Sequence, residues 1–229
     1  MPLSQCNCEG CELKTLFFEN VSNFEIESIC SRKVENHYKK GEIILTEGSP
    51  IEDFIYIKSG LVKLIRGYEK DKEQIICFAG SLDFVCLMSI FSETKYNYSV
   101  VAIEDSVTCG MKLAEVKAIA KINGQFALSL AEKINKASDR IIMTMLEVKQ
   151  RRLFGRIAYM LLYFSQTIYK SAIFELPISR KEIGEFIGMT TENVIRTLSD
   201  FRKDNIIKIN GKIIEIIDFE RLERIDEFS

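Results

Sequence analysis

Thr191, Glu192, Ile195, Arg196 and Ser199 share one face of a helical repeat, and their side chains suit the reading of base edges. An arginine guanidinium matches the two acceptors of guanine, and a carboxylate accepts from the amino group of cytosine. The opposite face is apolar. Val194, Leu198 and Phe201 follow i, i+4, i+7 and must point inward. Thr190 is a fitting cap for this helix, with Asn193 in its first turn. Upstream, Ser179 and Glu182 have the spacing of a capping box, in which each side chain satisfies a backbone N–H near the other residue. Ile183, Phe186 and Ile187 then recur at helical spacing, Gly188 can stop that helix in a left-handed conformation, and Met189 fills the gap between the two helices. Two short helices joined in this way form a helix-turn-helix, which carries the first turns of its second helix into the major groove of DNA.

The segment from Lys208 to Ile213 adds a second signal. Asn210 and Gly211 lie between two isoleucine-rich runs, a pattern that predicts a tight β-hairpin and turns the motif into a winged helix with Lys212 at its tip. Charge agrees. Residues 149–212 carry twelve Lys/Arg against six Asp/Glu, whereas the rest of the chain is acidic enough to leave the whole at −2. A local basic patch is what phosphate contacts require, so the net charge does not exclude nucleic acid.

The cysteines are the other chemically capable residues. Cys6, Cys8 and Cys11 crowd the N-terminus and Cys109 lies far along the chain, with Cys30, Cys77 and Cys86 between. The first residues lack the basic-then-apolar layout of a signal peptide, so a cytoplasmic chain is expected. There cysteines serve as thiols, metal ligands or redox switches rather than structural disulfides. Cys77 and Cys86 lie among apolar strand residues, where a buried thiol acts as a small hydrophobe. His37 is the only histidine, which reads as a surface residue and leaves haem a single axial candidate. It also argues against a small-barrel metalloenzyme, whose site needs clustered His and carboxylates, and no enzyme is expected. No run of about eighteen apolar residues predicts a membrane span.

These residues must be positioned by an α+β chain in three parts. Over 1–122, short apolar runs are punctuated by turn signals between Lys39 and Lys112, which predicts a β-roll as the sensor domain. Over 123–148 a long helix is expected. Ala127, Leu130, Ile134, Ala137, Ile141, Thr144 and Val148 alternate steps of three and four, the seam of a dimer-forming coiled coil. A second stripe, Leu128, Ala131, Ile142, Met145 and Leu146, is read as packing on the helix's own domain. Residues 149–229 form the winged helix-turn-helix domain, with a hinge near Lys149 to Phe154.

Laid end to end, these elements resemble the Crp/Fnr family of bacterial transcription regulators, over nearly the whole chain. Gly41, Gly48 and Gly60 match the family's spaced turn glycines. Gly155, Arg156, Ile157 and Ala158, with Leu161 and Leu162, resemble the first helix of its DNA-binding domain. Ile183, Gly184, Gly188, Glu192, Val194 and Arg196 match its helix-turn-helix. The resemblance implies a fold of cyclic-nucleotide-binding-like β-roll (a double-stranded β-helix), long dimerisation helix and winged helix. It implies that Glu192 and Arg196 read a C·G pair, that Thr191 and Ile195 tune neighbouring bases, and that Arg180 lies near the backbone. Members that bind cyclic AMP carry a Gly-Glu and an Arg-Ser pair where this chain has Val85-Cys86 and Tyr96-Asn97, and no arginine occurs between Arg66 and Arg140. A cyclic phosphate needs a cation or a nest of N–H groups, so cyclic AMP is disfavoured. The Fnr branch holds an oxygen-sensitive [4Fe–4S] cluster on an N-terminal cysteine group and one late cysteine. Cys8, Cys11 and Cys109 resemble that set, while Phe17 stands where the next cysteine is expected and Cys6 would supply the fourth ligand.

The expectation is therefore a homodimeric regulator that reads palindromic double-stranded DNA, acts with RNA polymerase and responds to a signal sensed in the β-roll. The signal is a cluster or redox change, an apolar ligand lodged near Phe84, Leu87, Met88, Phe91 and Tyr98, or none if those side chains are a packed core. A ligand-binding or scaffolding protein whose winged helix contacts protein is the alternative.

Overall fold

A computed structural model describes residue 21 and residues 33–69, 72–85 and 89–228. By contact density the chain divides into two units, the first ending at Arg140 and the second running from Ile141 onward with the short piece Glu73–Ile75.

The first unit is the β-roll. Its strands are β1 Val34–Tyr38, β2 Ile43–Leu45, β3 Asp53–Ser59, β4 Val62–Glu69, β5 Lys72–Ala79 (of which Glu73–Ile75 groups with the second unit), β6 Ser99–Ala102 and β7 Ser106–Lys112. They form two sheets, β1-β7-β3 and β2-β6-β4-β5, and the described pairings are antiparallel. In β3, Phe54 and Tyr56 alternate into one core cluster, their neighbour Ile57 is buried in the other, and Lys58 and Ser59 are exposed. The turns run through positive-φ glycines. At Gly60 an added Cβ would lie 2.3 Å from Ser106 Oγ and 2.6 Å from the Asp105 carbonyl, so only glycine fits the corner. One core cluster includes Val21, Phe54, Tyr56, Phe84, Cys109 and Met111; another includes Ile57, Val62, Leu64, Tyr98 and Val100. β1 begins before the predicted range, because its exposed polar residues give it no alternation to read. His37 in β1 is exposed, as expected.

Two helices follow, α1 Leu113–Ile122 and α2 Gly124–Gln150. The carboxamide of Asn123 accepts from the Phe126 N–H at 3.0 Å and so starts the long helix. The faces of α2 are reversed relative to the sequence reading. Phe126 and Leu130 are buried in the roll core with Ile134 and Ala137 packed against it, and Val148 is buried further along. Leu128, Ile142, Met145 and Leu146, expected to pack inward, are exposed. The helix carries two apolar stripes, and the bulk of Phe126 selects the one that meets the roll.

The second unit contains α3 Leu153–Leu162, a π-helical segment Tyr163–Tyr169, β8 Ile173–Glu175, α4 Arg180–Ile187, α5 Thr191–Lys203, β9 Ile207–Asn210, β10 Ile213–Ile216 and α6 Phe219–Phe228. Its sheet has the order β8-β10-β9, and β8 is an added strand of three residues, too short to show a period. Among the described residues, no helix is long and apolar enough to cross a membrane.

Candidate nucleic-acid interface

The helix-turn-helix is built as its residues dictate. Ser179 caps α4, with its hydroxyl accepting from the Glu182 N–H at 3.2 Å and its own N–H donating to the Glu182 carboxylate at 2.7 Å. Gly188 ends the helix at φ 67°. Met189 donates its N–H to the Gly184 carbonyl at 2.9 Å, and a Cβ on Gly184 would come within 2.4 Å of the Met189 carbonyl oxygen. Gly184 is thus where the turn and the first helix approach most closely. Thr190 Oγ1 accepts from the Asn193 N–H at 3.3 Å and starts α5.

On α5 the division of faces holds. Val194, Leu198 and Phe201 are buried, joined by Thr197. Thr191, Glu192, Ile195 and Arg196 are exposed, while Ser199 is half-buried at the margin. Arg196 is not a loose side chain. Its Nη2 donates to Asn193 Oδ1 at 2.9 Å, which limits the rotamers of the guanidinium while its other donors face solvent. Arg180 opens α4 and is half-buried; burial lowers its pKa from the ordinary value, and a guanidinium remains charged despite that.

The wing forms with one change. Asn210 pairs with Ile213, so the two-residue loop is Gly211 and Lys212 rather than Asn210 and Gly211. Gly211 has φ 61° and Lys212 does not share the left-handed conformation, an arrangement that puts glycine at the first loop position. Lys212 remains exposed at the tip.

One supporting residue has no motif to announce it. Arg156 Nη1 donates to the carbonyls of Ile187 at 3.1 Å and Gly188 at 3.2 Å. It satisfies carbonyls that the end of α4 leaves without intrahelical partners, and it brings positive charge to the negative end of the helix dipole.

Of the candidate metal ligands, Cys109 is fully buried on the central strand β7, opposite Tyr56. Cys6, Cys8 and Cys11, and also Cys30 and Cys86, lie outside the described residues. Among the described residues, no three His, Cys, Asp or Glu are grouped to hold a metal ion. Burial pushes the Cys77 thiol up to about 12, with Arg140 opposing the shift and Asp83 adding to it. By exposure Cys77 is only partly buried, packed against the second core cluster. The proposed apolar lining is divided: Phe84 and Tyr98 are core residues, Phe91 is exposed, and Leu87 and Met88 lie outside the described residues. Tyr98 donates its hydroxyl to the Val85 carbonyl at 2.9 Å, so that hydroxyl is satisfied within the roll.

Comparison with known proteins agrees with this geometry. Residues 35–123 match the cyclic nucleotide-binding domain, and residues 155–225 match the Crp-like helix-turn-helix domain. The chain is 25% identical to electron transport regulator A of Shewanella oneidensis over 94% of its own length and 88% of that protein's. It is 25% identical to the transcriptional activator protein anr of Pseudomonas aeruginosa, over 94% and 91%. The structure of FixK2 from Bradyrhizobium japonicum superposes with a TM-score of 0.76 at 25% identity, covering 86% of this chain and 98% of that one.

Proposed function

The chain belongs to the Crp/Fnr family of transcription regulators, and from that premise we propose that it acts as a homodimer reading a palindromic site through Arg196 and Glu192. It is a DNA-binding regulator and not an enzyme. The observation that carries the proposal is the outward face of α5: Thr191, Glu192, Ile195 and Arg196 stand exposed in its first turns, with Arg196 held by Asn193. In this reading Arg196 donates to guanine, Glu192 accepts from the paired cytosine, and Ile195 meets a thymine methyl beside them. Arg180 and Lys212 contact phosphate from the two flanks, and Thr190 and Ser199 lie at the edge of the footprint. RNA polymerase is the proposed partner on DNA.

Dimerisation is supported by the exposed stripe of α2. Leu128, Ala131, Asn135, Ser138, Ile142 and Met145 follow alternating steps of three and four, and none is buried in the single chain. Asn135 within such a seam favours one register at some cost in stability.

For the sensor, we propose that Cys6, Cys8, Cys11 and Cys109 are the ligands of an iron–sulfur cluster. Four thiolates are the fitting donor set. Val21, ten residues beyond Cys11, is buried in the same core cluster as Cys109, and ten residues can reach at most about 35 Å. When bound, the cluster would supply an oxygen-labile group; Cys109 would tie it to β7 of the roll. Anaerobic purification followed by iron and acid-labile sulfide assays tests this: about four irons per chain, lost in Cys109→Ala, are expected. An iron-free protein that binds DNA would remove the proposal.

The DNA reading is tested by titrating Arg196→Ala against duplexes that vary one base pair at a time. A loss of about 1–3 kcal/mol on the preferred site and a flattened preference at one base pair are expected. An equal loss on every sequence would reduce Arg196 to a phosphate contact.

A further inference from the structure

Arg151 is the first residue beyond α2, and its guanidinium is anchored on two sides. Nε donates to Asp226 Oδ1 at 2.5 Å and Nη2 to Asp226 Oδ2 at 2.9 Å, a two-pronged pair with α6. Nη1 donates back into α2, to the Glu147 carbonyl at 2.7 Å and to the Glu147 carboxylate. The Tyr159 ring lies 4.8 Å from the guanidinium carbon, and that same tyrosine hydrogen-bonds Thr144 on α2. The Arg151 and Asp226 side chains are only 14% and 16% exposed, so the pair is shielded from most solvent screening.

A second arginine continues the connection. The Arg151 carbonyl accepts from Arg156 Nε at 2.9 Å, and Arg156 Nη1 reaches the carbonyls of Ile187 and Gly188 at the turn of the helix-turn-helix. A series of hydrogen bonds therefore runs from the last turn of the long helix through two arginines to the end of α4, at the turn that precedes the reading helix. Arg151 falls within the stretch from Lys149 to Phe154 where a hinge was expected from sequence, and it links that stretch to both α2 and α6.

We propose that Arg151 is a positioning residue which fixes the winged domain to the end of the long helix and thereby sets the half-site spacing that the dimer accepts. The proposal rests on the dimeric DNA-reading function above. Arginine is required rather than lysine, because only the planar fork can engage both Asp226 oxygens while a further nitrogen holds Glu147. Removing the fork leaves each winged domain able to read its half-site but frees its orientation. Each added base pair turns a half-site by about 34° about the duplex axis, so a rigid dimer discriminates sharply between spacings and a loose one does not.

The test uses the full chain and palindromic duplexes whose half-sites are moved apart one base pair at a time. For the unaltered protein, affinity should fall by about tenfold or more one base pair from the optimum. In Arg151→Gln and Asp226→Asn that fall should shrink to about threefold or less, with base preference within the half-site unchanged. Arg151→Lys should behave like Arg151→Gln. Asp226→Asn keeps the side-chain volume and serves if the arginine variants fail to fold. A spacing profile as sharp as that of the unaltered protein, or an equal loss at every spacing, would overturn the proposal. If the unaltered protein does not distinguish the palindrome from scrambled DNA, the DNA-reading function itself fails and the clamp's role with it; the scrambled control identifies which has failed.

Discussion

At the scale of single residues, the chain's chemistry is concentrated where backbone geometry leaves little freedom. Gly184 illustrates this. A methyl group there would press on the Met189 carbonyl, and backbone cannot move aside as a flexible side chain can. Gly184→Ala should destabilise the second unit by about 1–3 kcal/mol in a denaturant titration; no change would mean that the turn relaxes freely. Ile195 is an exposed branched hydrophobe between Glu192 and Arg196. Replacing the thymine beside the Arg196-read pair by uracil should weaken the unaltered protein severalfold and leave Ile195→Ser indifferent. Equal sensitivity in both would exclude the methyl contact. Cys77 gives a pH prediction. Its folded pKa is raised to about 12, so its contribution is fully present below the unfolded value, near 9, and declines as pH rises towards 12. Alkaline unfolding should therefore be less steep in Cys77→Ala, and the native thiol should resist alkylation at neutral pH.

At the scale of elements, legibility depended on whether the controlling interaction was local. The caps at Ser179 and Thr190, the stop at Gly188 and the inward face of α5 are set within a few residues, and each was readable from spacing. The wing was legible but its loop was shifted by one residue, because Asn210 is held in the strand by Ile213. β8 is stabilised by its pairing with β10, far along the chain, and its own three residues carry no pattern. Arg156 and Arg151 act through carbonyls and carboxylates brought near only by folding, so residue type alone could not reveal them. The two stripes of α2 have the same periodicity, and only the packing of Phe126 and Leu130 on the roll tells which one remains outward. Ile142→Glu should therefore convert the protein to monomers in sedimentation, whereas Ile134→Glu should destabilise the roll. The reverse pattern would restore the seam read from sequence.

At the scale of the whole molecule, an acidic chain carries a basic reading domain, so association with DNA depends on where charge lies rather than on its sum. The half-site contacts proposed for Arg180, Arg196 and Lys212 include phosphates and must be salt-dependent, while the proposed pairing of two copies would set the preference for a palindrome. The most direct measurement is an equilibrium titration of the full chain against a palindromic duplex, a single half-site and scrambled DNA, repeated over a range of salt. The expected result is two chains per palindrome, weaker binding to the half-site, and affinity for the palindrome that falls with salt yet exceeds that for scrambled DNA at every concentration. One chain per duplex, or equal affinity for palindrome and scrambled DNA, would contradict a dimer reading base sequence through Arg196.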